Sequence, residues 1–317
     1  DFSHWKELLT QNVGAGVQRP DNFYRPMQML AYTAVYRLGG LDVFGFHLLN
    51  FLLHAANALL VYLLVFSLLK NEEAAFAASL LFAVHPIHTE AVTYMNGTAD
   101  PLGAFFGLLM LLFYWRSSGG KRYYAASILC MAAALLSKET MVVLPLLLVV
   151  LDVYRGESPP RRWKAYVPYF ALFGIYVFLR FTVFNFTQSL NLFQETNVYT
   201  ENLHYRMFTF LASLGEYYTL LLMPLDLKYD RPLSVFLSPW DPPVLCSLLL
   251  LLLLVWLAWR SLRGERVVFL GIAWFFLALG PVSGIIPING ITMEHWLYFP
   301  SIGAFLIAGY LLAKLRR

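Results

Sequence analysis

Apolar residues dominate the chain from residue 43 onward, in runs separated by short polar segments. A membrane-spanning helix needs about 20 mostly apolar residues, and fewer where its ends are buried in protein. Nine runs approach or exceed this length, namely residues 43–69, 74–92, 101–115, 123–136, 140–154, 165–184, 245–259, 267–286 and 301–314. The pattern predicts an all-α, polytopic membrane helix bundle of about nine to ten hydrophobic helices, with further helices on the extracytoplasmic surface.

Basic residues predict the orientation of this bundle, because short loops rich in Lys and Arg stay on the cytoplasmic side. Fourteen of the 23 Lys and Arg residues lie at Lys70, in the segments 116–122, 155–164 and 260–266, and at 314–317. We therefore expect the opposite segments to be extracytoplasmic, namely residues 1–42, 87–100, 137–139, 186–244 and 287–300.

The predicted domain organisation has two parts. Residues 1–42 form an outer loop in which the amphipathic segment 27–37 lies on the membrane surface, and residues 43–317 form the bundle. The outer segment 186–244 contains a further apolar stretch, 205–223, which is re-entrant or surface-lying; if it spans instead, everything after it inverts. An outer N-terminus needs an upstream span, so we expect a piece of a longer protein.

Composition excludes several classes of protein. Hydrophobic residues make up 59% of the chain and charged residues 13%, where a soluble domain has about 25% charged residues. A soluble enzyme is thereby excluded. The net charge of +4 comes from short loops and does not resemble a nucleic-acid-binding surface. Neither GxxxxGK[ST] nor GxGxxG occurs, so ATP-driven transport has no support.

Polar residues at membrane depth are costly, so they are the first candidates for function. His47, Asn50, His54 and Asn57 recur at spacings of three, four and three on the first predicted span, which places them on one helix face. One interpretation is a polar seam that lines a cavity for a substrate or a lipid phosphate. The alternative for the last three is hydrogen bonding between helices.

Two groups follow at the predicted outer end of the next span. His85-Pro86-Ile87-His88-Thr89-Glu90 places two imidazoles and a carboxylate beside a helix-ending proline. A divalent metal, a phosphate or sugar contact, and plain loop structure are the three interpretations. Asp100 precedes the next apolar run, where it is either a helix cap or part of a site.

Further charged residues lie close to the same predicted face. Lys138 and Glu139 form a charged pair between two short apolar runs, which predicts a recessed cavity where an ammonium suits an anionic phosphate. Arg180 either joins this site or extends to the membrane interface. Glu294 and His295 either belong to an interfacial belt or contribute to the site; we prefer the site.

These residues occur in motifs whose order is informative. The motifs are Phe23-Tyr24-Arg25-Pro26, residues 46–54, HPIHTEAV at 85–92, Ala99-Asp100, Ser137-Lys138-Glu139 and EHWLYFPS at 294–301. Together they resemble the TMTC-like proteins, which are multi-spanning GT-C-fold glycosyltransferases with O-mannosyltransferase members. The similarity extends over nearly the whole chain.

The resemblance implies an inverting transfer of a sugar from a polyprenyl-phosphate donor to a hydroxyl of a protein or glycan, on the extracytoplasmic side. Attack by a hydroxyl needs a proton acceptor, and the departing phosphate needs cations or a metal. The catalytic candidates are Asp21, Glu90 and Asp100. The candidates for substrate binding are Arg25, His47, His85, His88, Lys138, Glu139, Arg180, Glu294 and His295. A divalent metal is left open as a cofactor.

The chain departs from this family in its first outer loop, where such enzymes generally carry a key acidic residue, often in an Asp pair. Asp1 and Asp21 are the only Asp residues before Arg25, and they form no pair. A non-catalytic membrane subunit or scaffold, with membrane proteins as partners, is therefore the alternative. A secondary transporter ranks last, because the charged groups gather at one face. The expected location is the prokaryotic cytoplasmic membrane, or the endoplasmic reticulum membrane in a eukaryote.

Overall fold

The computed structural model describes residues 5–14, 22–186, 197–229, 231, 234–288 and 290–316. Over this part of the chain every regular element is a helix, as the sequence predicts. The α-helices are α1 (Trp5–Thr10), α2 (Pro26–Gly39), α3 (Val43–Leu69), α4 (Glu72–Val84), α5 (Thr89–Thr93), α6 (Ala99–Trp115), α7 (Lys121–Leu135), α8 (Leu144–Arg155), α9 (Trp163–Thr182), α10 (Val198–Glu201), α11 (Leu203–Leu222), α12 (Pro242–Ser261), α13 (Arg266–Leu279) and α14 (Ser301–Leu315).

Four segments of the described chain are long and apolar enough to cross a membrane: Val43–Leu69, Met95–Trp115, Trp163–Thr182 and Pro242–Ser261. A bent pair, Glu72–Val84 with Pro86–Thr93, is a fifth if it counts as one span. Within the most apolar 18 residues of each segment, 72% of the residues of Met95–Trp115 are buried inside the protein, compared with only 11% of those of Pro242–Ser261. Helix α6 is therefore central, and α12 faces the lipid.

The hairpin of α3 and α4 follows from its capping residues. The Asp42 carboxylate accepts a hydrogen bond from Phe44 N at 3.0 Å and starts α3. Lys70, with φ of 52°, ends that helix in the left-handed region. Asn71 then caps α4 by accepting a hydrogen bond from Ala74 N at 2.9 Å. The two helices are consequently antiparallel neighbours.

Helix α14 lies against α4 through small residues. A Cβ atom on Gly309 would lie 2.5 Å from the carbonyl oxygen of Ala74 and 2.8 Å from the backbone nitrogen of Ala78. No side chain fits into this space, so glycine is required for the observed helix separation. Close backbone approach at small residues is a common way for membrane helices to pack.

The apolar run over residues 74–92 is interrupted at Pro86, the proline that the sequence predicts to end a helix. Helix α4 ends at Val84, a 3₁₀ turn covers Pro86–His88, and the two halves are bent by 50°. Pro86 has no N–H to continue the helix, and its ring forces the preceding residue out of the helical region. His85 accordingly has an extended backbone, with φ of −69° and ψ of 126°.

The predicted run 267–286 also ends earlier than expected. Helix α13 ends at Leu279, followed by a 3₁₀ turn over Gly280–Val282. Gly280-Pro281 is a dipeptide that commonly marks the end of a helix. The rest of the run is therefore a loop, and this loop reaches the cavity described below.

Helix α11 covers the ambiguous stretch 205–223. Near its start, the Arg206 guanidinium donates to the carbonyl oxygen of Gly284 at 2.7 Å, and near its end the Leu221 carbonyl contacts His85 Nε2 at 3.2 Å. Gly284 and His85 both follow the ends of helices at the same end of the bundle. This placement favours the re-entrant or surface-lying interpretation, which stays a prediction.

Candidate functional site

A cavity of about 370 Å³ opens at the end of the bundle where α5 and α6 begin. This volume lies within the range of roughly 300–1,000 Å³ that is typical of ligand pockets. Seven of the residues that the sequence nominates line it, namely Arg25, Glu90, Asp100, Lys138, Glu139, Arg180 and His295. Three cations, three carboxylates and an imidazole thus converge from distant parts of the chain.

Lys138 and Asp100 form a buried ion pair in the cavity wall, with side chains 5% and 10% exposed. Asp100 lies in the first turn of α6 and is not its cap, because that helix begins at Ala99. Gly103, one turn later, leaves room for Lys138, whose Cβ would lie 3.2 Å from a Cβ at that position. Burial lowers the pKa of the Lys138 ammonium, and the Asp100 carboxylate offsets only part of this effect.

Arg25 and Glu139 form a second ion pair. Arg25 Nε and Nη2 both lie 2.9 Å from Glu139 Oε2, while Oε1 is buried without a hydrogen-bond partner among the described residues. Burial lowers the pKa of the Arg25 guanidinium, but Glu139, together with Asp100 and Tyr176, more than compensates, so the net shift is upward. One buried carboxylate oxygen of this pair is therefore an unsatisfied hydrogen-bond acceptor.

Glu90 and His295 form the third polar pair. Glu90 Oε1 contacts His295 Nδ1 at 2.6 Å, and Glu90 Oε2 accepts a hydrogen bond from the backbone N–H of His295 at 2.8 Å. The carboxylate is 7% exposed and the imidazole 26%. The short helix α5, redirected by the bend at Pro86, brings Glu90 to the turn Glu294–Leu297.

Arg180 lies near the end of α9 and contributes the third cation. Its Nη2 donates to the carbonyl oxygen of Asn22 at 2.5 Å, and its Nη1 to that of Phe184. The Tyr24 ring stacks on Phe184 at 4.0 Å between centroids. These contacts attach the segment before α2 to α9.

Several nominated residues lie outside the cavity lining. His47 is exposed, whereas Asn50, His54 and Asn57 are buried and hydrogen-bond to other helices, so the interhelical interpretation applies to those three. Asp21 lies outside the described residues.

Two of the histidines are also away from the lining. His85 accepts a hydrogen bond from Ile87 N at 3.2 Å, which stabilises the turn at the bend. His88 is 2% exposed, and neither ring nitrogen has a partner among the described residues. Their assignment to substrate binding stays a prediction.

Glu294 lies outside the cavity lining and stabilises the turn that carries His295. It is 2% exposed and accepts hydrogen bonds from Lys228 N at 2.6 Å and Arg231 Nε at 2.9 Å. These bonds attach the loop after α11 to the turn that carries His295. The position of Glu294 fits support of the turn better than direct contact with a ligand.

The cavity also has walls that the sequence did not nominate. Its aromatic residues include Phe23, Tyr94, Tyr229 and Trp296, and its apolar wall comes from the loop after α13, including Val282, Ile286 and Ile288. The Gly280-Pro281 dipeptide is the sequence signal that could have predicted this loop, because such dipeptides mark turns. Tyr229 has no such signal, because only the fold brings it against Tyr94, with 5.3 Å between ring centroids. Over the described residues, no group of three or more His, Cys, Asp or Glu side chains is arranged to hold a metal ion.

The fold and cavity define an integral membrane helix bundle with a charged pocket at one end. The sequence profile described as "Dolichyl-phosphate-mannose-protein mannosyltransferase" matches residues 19–186, just over half of the 317 residues. The chain belongs to this family. The matched region includes six of the seven nominated cavity residues, all except His295.

Curated relatives agree with this assignment over shorter stretches. Protein O-mannosyl-transferase TMTC3 of Homo sapiens is 42% identical over 91 residues, 29% of this chain and 10% of the relative. Protein O-mannosyl-transferase Tmtc1 of Drosophila melanogaster is 43% identical over 77 residues, which are 24% of this chain and 9% of the relative. Protein O-mannosyl-transferase TMTC2 of Mus musculus is 39% identical over 105 residues, 33% and 12%. The matches thus span about a tenth of these relatives.

Proposed function

We propose that the protein transfers a sugar from a polyprenyl-phosphate donor to a hydroxyl of a protein or glycan, on the extracytoplasmic side of a membrane. The observation that carries the proposal is the convergence of Arg25, Lys138 and Arg180 on one cavity together with three carboxylates. The relatives are named as protein O-mannosyl-transferases, so mannose is the proposed sugar and a protein the proposed acceptor.

The three cations suit the charge that develops in such a reaction. When the bond between the anomeric carbon and the phosphate oxygen breaks, negative charge accumulates on the phosphate. Buried or half-buried cations stabilise that charge more strongly than solvent-exposed ones, because the local dielectric is low. Lys138 and Arg25 already oppose carboxylates, so a phosphate would compete with or extend these pairs.

The proton of the acceptor hydroxyl needs a base within the same cavity. Glu90 and Asp100 line it and remain candidates for the catalytic machinery. Asp21 also stays a prediction. No metal is required by this scheme, and a divalent metal remains an open proposal for the phosphate.

The position of the cavity supports the proposed side of transfer. The cavity lies at the end of the bundle opposite Lys70, the segments 116–122, 155–164 and 260–266, and the end of α14 with Lys314 and Arg316, which together carry most of the Lys and Arg residues. Positive loops normally remain cytoplasmic, so the cavity would face the extracytoplasmic space. A prokaryotic cytoplasmic membrane or the endoplasmic reticulum membrane are the proposed locations.

A transfer assay with the full chain in lipid vesicles tests this function. We expect transfer of label from polyprenyl-phosphate mannose to a peptide rich in Ser and Thr, and none from GDP-mannose. Arg180→Gln should raise the KM for the donor about tenfold or more, because a charged hydrogen bond contributes about 1.5–3 kcal/mol.

Arg260→Gln is the matched control, since Arg260 is exposed at the opposite end of the bundle. It should leave the KM unchanged. Absence of transfer from every polyprenyl-phosphate sugar offered to a folded full chain would refute the proposal.

A non-catalytic membrane subunit is the second candidate. It is favoured by one observation: each of the three cavity carboxylates is already paired within the chain, Glu90 with His295, Asp100 with Lys138 and Glu139 with Arg25. Such a protein would bind the donor lipid without transferring its sugar. Binding without turnover in the same vesicles would therefore support this alternative.

A further inference from the structure

We infer that His295 is the group that takes the proton from the acceptor hydroxyl, through Nε2, and that Glu90 is the positioning residue that prepares it. This inference rests on the proposed transfer reaction and adds a named base to it. It differs from the expectation that a carboxylate accepts the proton directly.

The geometry of the pair determines which ring nitrogen carries hydrogen. Glu90 Oε1 lies 2.6 Å from His295 Nδ1, and an ionised carboxylate can only accept hydrogen bonds. Nδ1 must therefore carry the hydrogen. In the neutral imidazole, Nε2 then has a free lone pair, which is the form a general base requires.

The surroundings leave that lone pair accessible. His295 lines the cavity, and no described residue forms a hydrogen bond with its Nε2. Glu90 also accepts from the backbone N–H of His295 at 2.8 Å, so the carboxylate fixes both the backbone and the ring. A buried carboxylate behind an imidazole that faces the substrate is the arrangement by which several unrelated enzymes activate a hydroxyl.

The other cavity carboxylates are less suited to this role. Asp100 is paired with Lys138, and Glu139 Oε2 is paired with Arg25. Both would serve the phosphate-binding cations by holding them in place. Glu139 Oε1 has no partner among the described residues, so Glu139 is the principal rival base and must be included in any test.

A lone pair on the acceptor oxygen forms a bond to the anomeric carbon, and the bond from that carbon to the phosphate oxygen breaks with its electron pair on the phosphate. The hydroxyl proton moves to His295 Nε2, giving an imidazolium that the Glu90 carboxylate stabilises. The imidazolium then releases its proton to water, and the polyprenyl phosphate leaves.

Substitution and chemical rescue test the inference in the full chain. His295→Ala should lower kcat about 100-fold or more with little change in the KM for the donor, because general base catalysis contributes about 10²–10⁴-fold. Added imidazole should restore at least about a tenth of the lost rate, since it can occupy the space of the missing ring. Glu139→Gln should not be rescued by imidazole.

The variant Glu90→Gln tests the positioning role of Glu90 independently. Its amide oxygen can still accept from the His295 backbone, but its NH₂ would donate to Nδ1 and force the hydrogen onto Nε2. The fold should survive while kcat falls about as far as in His295→Ala. Because both residues act as one unit, the double variant should be no worse than either single variant.

The outcomes separate this inference from the proposed function. A folded wild-type chain without transfer overturns both. Wild-type transfer that persists in His295→Ala, or that imidazole does not rescue, overturns the inference alone. Should His295→Ala fail to fold, the ¹⁵N chemical shifts of His295 in the wild type decide: hydrogen on Nδ1 is expected, and a neutral ring with hydrogen on Nε2 would overturn the inference.

Discussion

Replacing Lys138 with methionine should reduce sugar transfer at least about 100-fold and lower the free energy of unfolding by about 3–5 kcal/mol. The ammonium is buried against the Asp100 carboxylate, and removal of one partner leaves a buried charge uncompensated. The loss of transfer has a separate cause, because the cavity loses a cation that opposes the departing phosphate. Thermal unfolding in detergent and transfer in vesicles measure the two effects.

A second variant separates the two causes. Lys138→Met combined with Asp100→Asn removes both charges, so stability should return to within about 1–2 kcal/mol of wild type. Transfer should stay low, because the cation is still missing. Recovery of transfer in the double variant would contradict a direct role and would leave Lys138 with only the task of neutralising Asp100.

Replacing Asp152 with alanine should lower the free energy of unfolding by a similar 3–5 kcal/mol, but through a network far from the cavity. The Asp152 carboxylate is fully buried and accepts hydrogen bonds from the hydroxyls of Tyr114 at 2.6 Å and Tyr166 at 2.7 Å. Arg162 lies 3.4 Å from the same carboxylate. Loss of the Asp152 carboxylate would leave the two tyrosine hydroxyls and the Arg162 guanidinium without this acceptor.

The folded fraction of the Asp152 variant should retain kcat and KM within about twofold of wild type, because none of these residues lines the cavity. Glu157→Gln is the matched control: Glu157 also faces Arg162, at 3.9 Å, but is 51% exposed. An exposed pair contributes about 0–1 kcal/mol, so its stability should change little. A large fall in kcat per folded Asp152→Ala molecule would show that the two ends of the bundle are coupled.

The helical class and much of the cavity follow from sequence because each has a local signal. Long apolar runs can satisfy their backbone hydrogen bonds in lipid only as helices or closed barrels, and their length suits helices. Motifs that lie at successive ends of such helices are predicted to meet, and Arg25, Asp100 and Lys138 do meet. The alternating direction of successive spans thus predicts which motifs lie at the same end of the bundle.

The exposure, direction and pairing of individual side chains depend on how the helices pack, which cannot be deduced from a single sequence. His47 and His54 share a helix face, yet one is exposed and the other bonds Tyr298 at 2.8 Å, because the partner helices cover only part of that face. The bend at Pro86 points Glu90, but not His88, into the cavity. Which carboxylate pairs with which cation likewise depends on the final helix arrangement.

An experimental structure of the full chain with a polyprenyl phosphate bound would test the proposed sugar transfer most directly. We expect the phosphate in the cavity, within hydrogen-bond distance of at least two of Arg25, Lys138 and Arg180, with His295 Nε2 facing the space beside it. A phosphate bound at another surface, with the three cations still engaged only by their present partners, would contradict the proposed function of the cavity.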